Sequence, residues 1–236
     1  RKIGGDEFMY IDFHSHVLPR ADHGSDSLET SLSQIRYAKE AGVGTIVATP
    51  HFYMWEDTVD EFLGRRERAY RELEEANDYG VKIVKAAEVQ IYTGISELEG
   101  LERLCVGDTK YILLEFPPEP WPYWIYDSVY AIARERRLRP IIAHIDRYSA
   151  FGREKILKLA VDVQINASAF FESRKHRKEY IHLINDDSVH ILGSDTHGDG
   201  KLSYSDFDSA VKKLGGLSDV MMNNAQRILS SSERIR

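Results

Sequence analysis

Six short apolar runs in this chain each stop at residues of the kind that bind metal ions. Met9-Tyr10-Ile11-Asp12-Phe13 runs into His14 and His16, and Thr45-Ile46-Val47-Ala48-Thr49-Pro50 into His51. Val81 to Ala87 leads to Glu88, Tyr111-Ile112-Leu113-Leu114 to Glu115, Ile141-Ile142-Ala143 to His144, and Val189 to Gly193 to Asp195 and His197. Residues i and i+2 of a strand share a face, so His14 and His16 can grip one ion. Polar residues scattered at random do not recur where apolar runs end. Parallel strands that carry a site on one face produce that pattern.

Between these runs the text is amphipathic. Asp26-Ser27-Leu28-Glu29 opens a helix with Leu28, Leu32, Ile35 and Ala38 on one side, closed by Gly42. Thr58 to Tyr79 reads as a long charged helix with Phe62, Tyr70 and Leu73 facing inward, and Tyr123 to Arg137 as another that ends before Pro140. Further helices are expected near 153–160, 174–186, 204–214 and 224–230, with strands at 81–88, 110–116, 140–144, 161–166 and 188–193. Together with the strands that end at His14 and His51, this makes seven βα repeats and predicts an α/β fold with a parallel sheet. Ligand-type residues from at least five strands converge easily at the C-terminal mouth of a closed barrel and poorly along an open sheet. The expected architecture is therefore a single-domain, TIM-barrel-like (β/α)7 barrel.

Composition bounds the rest. The 236 residues, 42% hydrophobic and 29% charged, suit one globular domain with ample core. No apolar stretch approaches ~18 residues, so no membrane insertion is expected. The start, Arg1-Lys2-Ile3-Gly4-Gly5-Asp6, has no apolar signal core, and the single cysteine, Cys105, suits a reducing cytoplasm. A net charge of −7 without a basic stripe argues against nucleic acid as a partner. Residues 4–8 spell Gly-Gly-Asp-Glu-Phe, a string that marks diguanylate cyclases. The large stretch of chain that should precede it there is missing here. The string is accordingly read either as chance or as part of a non-native extension of residues 1–8, with Met9 the expected native start and the domain spanning 9–236.

Imidazole and carboxylate without thiolate suit Mn²⁺, Fe or Zn²⁺ rather than a soft metal. More than six candidate ligands exceed what one ion uses, and paired ions characteristically hydrolyse phosphoesters or amides through an activated water. His176, His182 and His190 carry no motif and are assigned to solvent or packing. Cys105 has Tyr111 rather than an arginine six positions on, so the loop of cysteine phosphatases is missing, and Leu104 and Val106 suggest a buried thiol. No Gly-x-Ser-x-Gly elbow or glycine-rich phosphate loop is present.

The motifs Ile11-Asp12-Phe13-His14-Ser15-His16, Asp22-His23-Gly24, Ala48-Thr49-Pro50-His51, Ala87-Glu88, Leu114-Glu115-Phe116-Pro117, Ala143-His144-Ile145-Asp146-Arg147-Tyr148, Gly193-Ser194-Asp195-Thr196-His197 and Asn224-Ala225-Gln226-Arg227-Ile228-Leu229 span nearly the whole chain. In this order they resemble the PHP phosphoesterases, the family named for polymerase and histidinol phosphatase. The Leu-Glu-Phe-Pro and Ala-His-x-x-Arg-Tyr pieces are most similar to one branch, the metal-dependent tyrosine-protein phosphatases of bacterial capsule and exopolysaccharide systems.

The resemblance implies a distorted (β/α)7 barrel with three divalent ions, commonly manganese. It implies as substrate the phosphotyrosine of an autophosphorylated bacterial tyrosine kinase. Carried over by position, His14, His16, Glu88 and Asp195 hold one ion, Glu88 bridges to a second on Glu115 and His144, and His51 and His197 hold a third. The family places an aspartate before the glycine of the second motif, where this chain has His23 after Asp22. Either His23 substitutes as a ligand or Asp22 shifts in. Arg147 matches a phosphate-binding arginine, and Lys201 stands near the position of another, with charge but no bidentate fork. Glu88, Glu115 and His144 are then catalytic along with Arg147.

Rival readings are a histidinol-phosphatase-like hydrolase of small phosphate esters, a nuclease, an amidohydrolase, and a non-catalytic metal-binding partner protein. Two aromatic loops, Phe52-Tyr53-Met54-Trp55 and Phe116 to Tyr126, follow His51 and Glu115 and are expected to line the entrance against a phosphotyrosine ring, with Trp55 and Trp124 as the test positions.

Overall fold

The computed structural model describes residues 10–231, so the reading of residues 1–8 as an extension and the Gly-Gly-Asp-Glu-Phe string lie outside the described residues. The strands are β1 (Tyr10–Ser15), β2 (Val43–Ala48), β3 (His51–Phe52), β4 (Lys82–Lys85), β5 (Glu88–Gln90), β6 (Tyr111–Glu115), β7 (Arg139–Ile142), β8 (Asp162–Asn166) and β9 (Ile191–Gly193). The helices are α1 (Leu28–Glu40), α2 (Val59–Ala76), α3 (Tyr123–Arg134), α4 (Ala150–Leu157), α5 (Ala169–Glu172), α6 (Arg174–Asn185), α7 (Gly200–Leu214) and α8 (Gly216–Leu229). None is long and apolar enough to cross a membrane.

All pairings are parallel, in the orders β1-β2-β4 and β3-β5-β6-β7-β8-β9. The second and third expected strands are each broken in two, at Thr49-Pro50 and at Ala86-Ala87. Proline has no N–H for the ladder, yet the seam stays bonded: the Ala86 and Glu88 N–H groups donate to the Ala48 and Pro50 carbonyls at 2.8 and 3.1 Å. At the other seam, Asp195 N–H donates to His14 O at 2.7 Å and His16 N–H to Thr196 O at 3.1 Å, bringing the chain's last strand back against its first. The sheet thus curls into the expected distorted (β/α)7 barrel.

Local chemistry sets most boundaries. Ser27 caps α1 through the Thr30 N–H, and Thr58 with Glu61 makes a reciprocal capping box on α2. Phe62 and Leu73 are buried in the core as expected, while Tyr70 lies partly buried under Lys85. Three helices begin earlier than periodicity suggested. Ser149 caps α4, Asp199 caps α7, and Gly215, at φ 57°, turns the chain directly from α7 into a longer α8. Cys105 is buried, as its apolar neighbours implied.

The closing seam leaves no room for a side chain on β9. A Cβ on Gly193 would sit 2.6 Å from His14 Cβ and 2.7 Å from Gln164 Nε2. Gly193→Ala should therefore push β9 off β1 and cost about 1–3 kcal/mol, the usual penalty of overpacking. Urea melts of the variant and the parent read this directly, and equal midpoints would contradict it.

Candidate metal centre

The ends of β1, β6, β7 and β9 and the first residues of β3 and β5 deliver their polar side chains to one buried cluster. The Nε2 atoms of His14 and His16 lie 3.2 Å apart, and each abuts Glu88 Oε2, at 3.1 and 3.2 Å. Asp195 Oδ1 stands 3.6 and 3.4 Å from the same two nitrogens. Glu88 Oε1 faces His144 Nε2 at 2.7 Å, and Glu115 Oε1 lies 3.5 Å from that nitrogen. His51 Nδ1 is 3.2 Å from Glu88 Oε2 and 3.9 Å from Glu115 Oε2. On the outer side, the His16 ring lies 4.5 Å from that of His51 and 3.9 Å from that of His197.

Proton positions follow from the outward-facing nitrogens. Gln164 Oε1 already accepts the His144 N–H at 2.6 Å, so His14 Nδ1–H donates to it, at 3.2 Å. His16 Nδ1–H donates to Asp22 Oδ2 at 2.6 Å, and His197 Nδ1–H to the Asp195 carbonyl at 3.1 Å. Each Nε2 is thereby left facing the cluster. Asp195 Oδ1 and His51 Nδ1 are buried without any hydrogen bond. Acceptor atoms crowded at these spacings repel one another unless cations, protons or metals, lie among them. Ligands about 2.0–2.2 Å from one first-row ion stand about 3.0–3.5 Å apart, which matches the His14, His16, Glu88 and Asp195 set. The residues fit metal ions.

The electrostatics agree. Burial opposes charge on His14 and His16, yet the neighbouring carboxylates Glu88 and Asp195 outweigh it and raise both pKa values. Burial pulls His51 down to about 3 and His197 to about 4, so both are neutral. Burial and then the charge of Glu88 push Glu115 up to about 7.

Several supporting roles went unread in the sequence, among them that of Asp22, which was weighed there only as a possible ligand. Asp22 anchors the loop: its carboxylate takes the His16 Nδ1–H, the His51 backbone N–H at 2.9 Å and the Gly24 N–H at 2.9 Å. Asp12, fully buried, accepts from Ser194 N–H at 2.8 Å, Ser194 Oγ–H at 2.6 Å and Tyr204 O–H at 2.9 Å. Gln164 and Asn166 face inward on β8, and Asn166 Nδ2 donates to Asp195 Oδ2 at 3.0 Å. Two polar side chains at i and i+2 in Val163-Gln164-Ile165-Asn166 were the available signal. His144 and Asp195 themselves sit at φ 31° and 52°, a left-handed backbone that side chains rarely adopt and that recurs at functional sites.

The remaining expected residues are placed as follows. His23 is exposed at the rim, its ring stacked 4.7 Å from His51 and 5.0 Å from His197. Arg147, half-exposed, donates to Asp195 Oδ2. Lys201 is exposed in the first turn of α7. His176 and His182 lie on α6 facing solvent wholly or in part, and His190 Nδ1 accepts the Val163 N–H. Of the two aromatic loops, the second differs from expectation. Trp121 packs on Phe116 and Tyr148, ties its indole N–H to Pro117 O at 2.6 Å, and with Trp124 lies against the core.

A family model described as capsular polysaccharide synthesis, CpsB/CapC, matches residues 10–230. The tyrosine-protein phosphatase CpsB of Streptococcus pneumoniae is 30% identical, with 93% of this chain and 98% of that protein covered. The tyrosine-protein phosphatase YwqE of Bacillus subtilis (strain 168) is 27% identical over 79% of this chain and 77% of its own. Among solved structures, one from a study of YwqE and CpsB as metal-dependent tyrosine phosphatases superposes with a TM-score of 0.78 at 23% identity, covering 96% of both chains.

Two outcomes follow from the cluster. Metal uptake must displace protons from His14, His16 and Glu115, so affinity should rise as pH rises through 7 and fall below it. Calorimetry with Mn²⁺ in buffers of different ionisation enthalpy between about pH 6 and 8 would reveal the released protons; a pH-independent affinity would count against the assignment. Asp22→Asn should weaken metal binding about 10–100-fold through loss of His16 orientation, as competition with a chelator would measure.

Proposed function

The chain belongs to the capsular polysaccharide synthesis family CpsB/CapC, and on that footing we propose that it is a metal-dependent phosphatase that hydrolyses phosphotyrosine on proteins. The observation that carries this reading is the convergence of His14, His16, His51, Glu88, Glu115, His144, Asp195 and His197 on one buried cluster, with a half-exposed arginine beside it. The reading further takes the ions to be three Mn²⁺, the substrate an autophosphorylated bacterial tyrosine kinase of a capsule or exopolysaccharide system, and the compartment the cytoplasm.

Residues are assigned as follows. His14, His16, Glu88 and Asp195 would hold one ion, Glu88 with Glu115 and His144 a second, and His51 with His197 a third, with His23 at the rim as its added ligand on this reading. Asp22 is an orienting group, because its carboxylate is committed to His16, His51 and Gly24. Bound divalent ions would supply charge against a phosphate dianion and an acidified water as nucleophile. The chain does the rest. Arg147 can exchange the carboxylate of Asp195 for the nonbridging oxygens of a phosphate, a swap of one anionic acceptor for another. Lys201 is in the neighbouring segment with a second positive charge.

A tyrosine phenolate, with a pKa of about 10, leaves with little help from an acid. Cysteine chemistry is excluded: the single cysteine is buried, and burial pushes its thiol up to about 12.

The test is direct. The His14→Ala, His16→Ala double variant should keep its circular dichroism, lose bound metal and lose turnover of phosphotyrosine peptides in Mn²⁺, as should exhaustively chelated parent protein. Full activity in either would sink the metal mechanism. His23→Ala should lower the bound-metal count measured by plasma emission while Glu88-centred binding persists; an unchanged count would remove His23 from the ligand set.

A further inference from the structure

The paired strands β3 and β5 carry more than ligands on the face that looks into the mouth. Their register sets His51 against Glu88 and Phe52 against Val89. Alternation then places Tyr53 on the side of His51, and Gln90 and Tyr92 on the side of Glu88, while Phe52, Val89 and Ile91 are buried in the core. Beyond the strand ends the rings meet. The His51 and Tyr53 rings stack at 5.2 Å, Tyr53 and Trp55 at 4.9 Å, and Trp55 and Tyr92 lean together at 4.9 Å.

This is a continuous aromatic rail from the buried cluster outward. Its outer members are 47% and 48% exposed, for Trp55 and Tyr92, so core packing does not account for them. Scattered exposed aromatics are ordinary; an ordered stack of them that begins on a cluster imidazole is a binding feature. The other aromatic loop gives no such wall, since Trp121 and Trp124 pack on the core.

We propose that Tyr53, Trp55 and Tyr92 form the aryl-binding wall of the site, setting preference for phosphotyrosine over alkyl phosphates. The proposal rests on the phosphatase reading above. A phosphate seated beside His51 places its ester-linked ring one ring spacing further out, alongside Tyr53. Trp55 and Tyr92 then take the ring's outer edge and the adjoining side chain of the substrate polypeptide.

The experiment compares kcat/KM for a phosphotyrosine peptide and the phosphoserine peptide of the same sequence, using Mn²⁺-loaded protein. Trp55→Ala and Tyr92→Ala should each lower the tyrosine-to-serine ratio about 3- to 10-fold, the range of one aromatic pair. Trp55→Phe should keep it. Tyr123→Ala, which removes a ring 84% exposed outside the rail, is the control. An unchanged ratio in both alanine variants overturns the wall, as does an equal fall in the control. Circular dichroism establishes folding, and Tyr92→Ala carries the test if Trp55→Ala does not fold. Calorimetry with free phosphotyrosine and phosphoserine reads the wall without turnover. A parent protein that hydrolyses neither peptide overturns the phosphatase reading, whereas equal affinity for the two amino acids overturns the wall.

Discussion

One carboxylate organises this molecule. Glu88 is fully buried and takes contacts from His14, His16, His51 and His144, which arrive on β1, at its end, on β3 and at the end of β7. Burial alone would drive such a group neutral, but the surrounding imidazoles hold its pKa well below the usual carboxylate range. An anion at that depth is tolerable only with cations about it. The barrel is the scaffold that makes the arrangement possible, because only a closed ring of parallel strands aims so many C-terminal ends at one point.

The cluster in turn depends on groups outside it. Gln164 receives the His14 ring and the His144 backbone, Asp22 receives His16 and the His51 backbone, and Asn166 steadies Asp195. Asp12 ties β1 to the segment after β9 through Ser194, and to α7 through Tyr204. Each of these contacts joins a ligand-bearing strand end to a neighbouring segment, so orientation of the rings and closure of the sheet are enforced by the same hydrogen bonds. The left-handed backbone at His144 and Asp195 is sustained by that network, since it is unfavourable for residues with side chains.

On the proposed reading, phosphate recognition and ring recognition are separated along the site. Arg147 and the ligand cluster lie at the base, and the stack of Tyr53, Trp55 and Tyr92 rises from His51 at one side. Tyr92 follows Glu88 by four residues, as Trp55 follows His51, but it stands there without aromatic neighbours in a stretch to which the sequence reading assigned no element. It joins the wall through the pairing of β5 with β3.

The fold class, the order of elements and the residues of the cluster were legible in the chain itself, for a local reason. Strand periodicity is short-ranged, and a parallel barrel puts its site residues at positions that apolar runs mark off, so His51, Glu88 or Asp195 announce themselves within their own segments. What the residues do to one another was not legible. Asp22 and His23 are adjacent in sequence and equally suited to a metal. Only the approach of His16 and the His51 backbone commits the Asp22 carboxylate and leaves His23 at the rim. Trp55 and Trp124 stand in stretches of like composition; Trp124, in the first turn of α3, packs against the core, whereas Trp55, beyond β3, stacks on Tyr53 and stays half exposed. Sequence determined which groups could reach the site, because strand ends are set by local alternation. Tertiary structure decided which groups face it, because hydrogen-bond partners and ring contacts come from strands far apart in the chain.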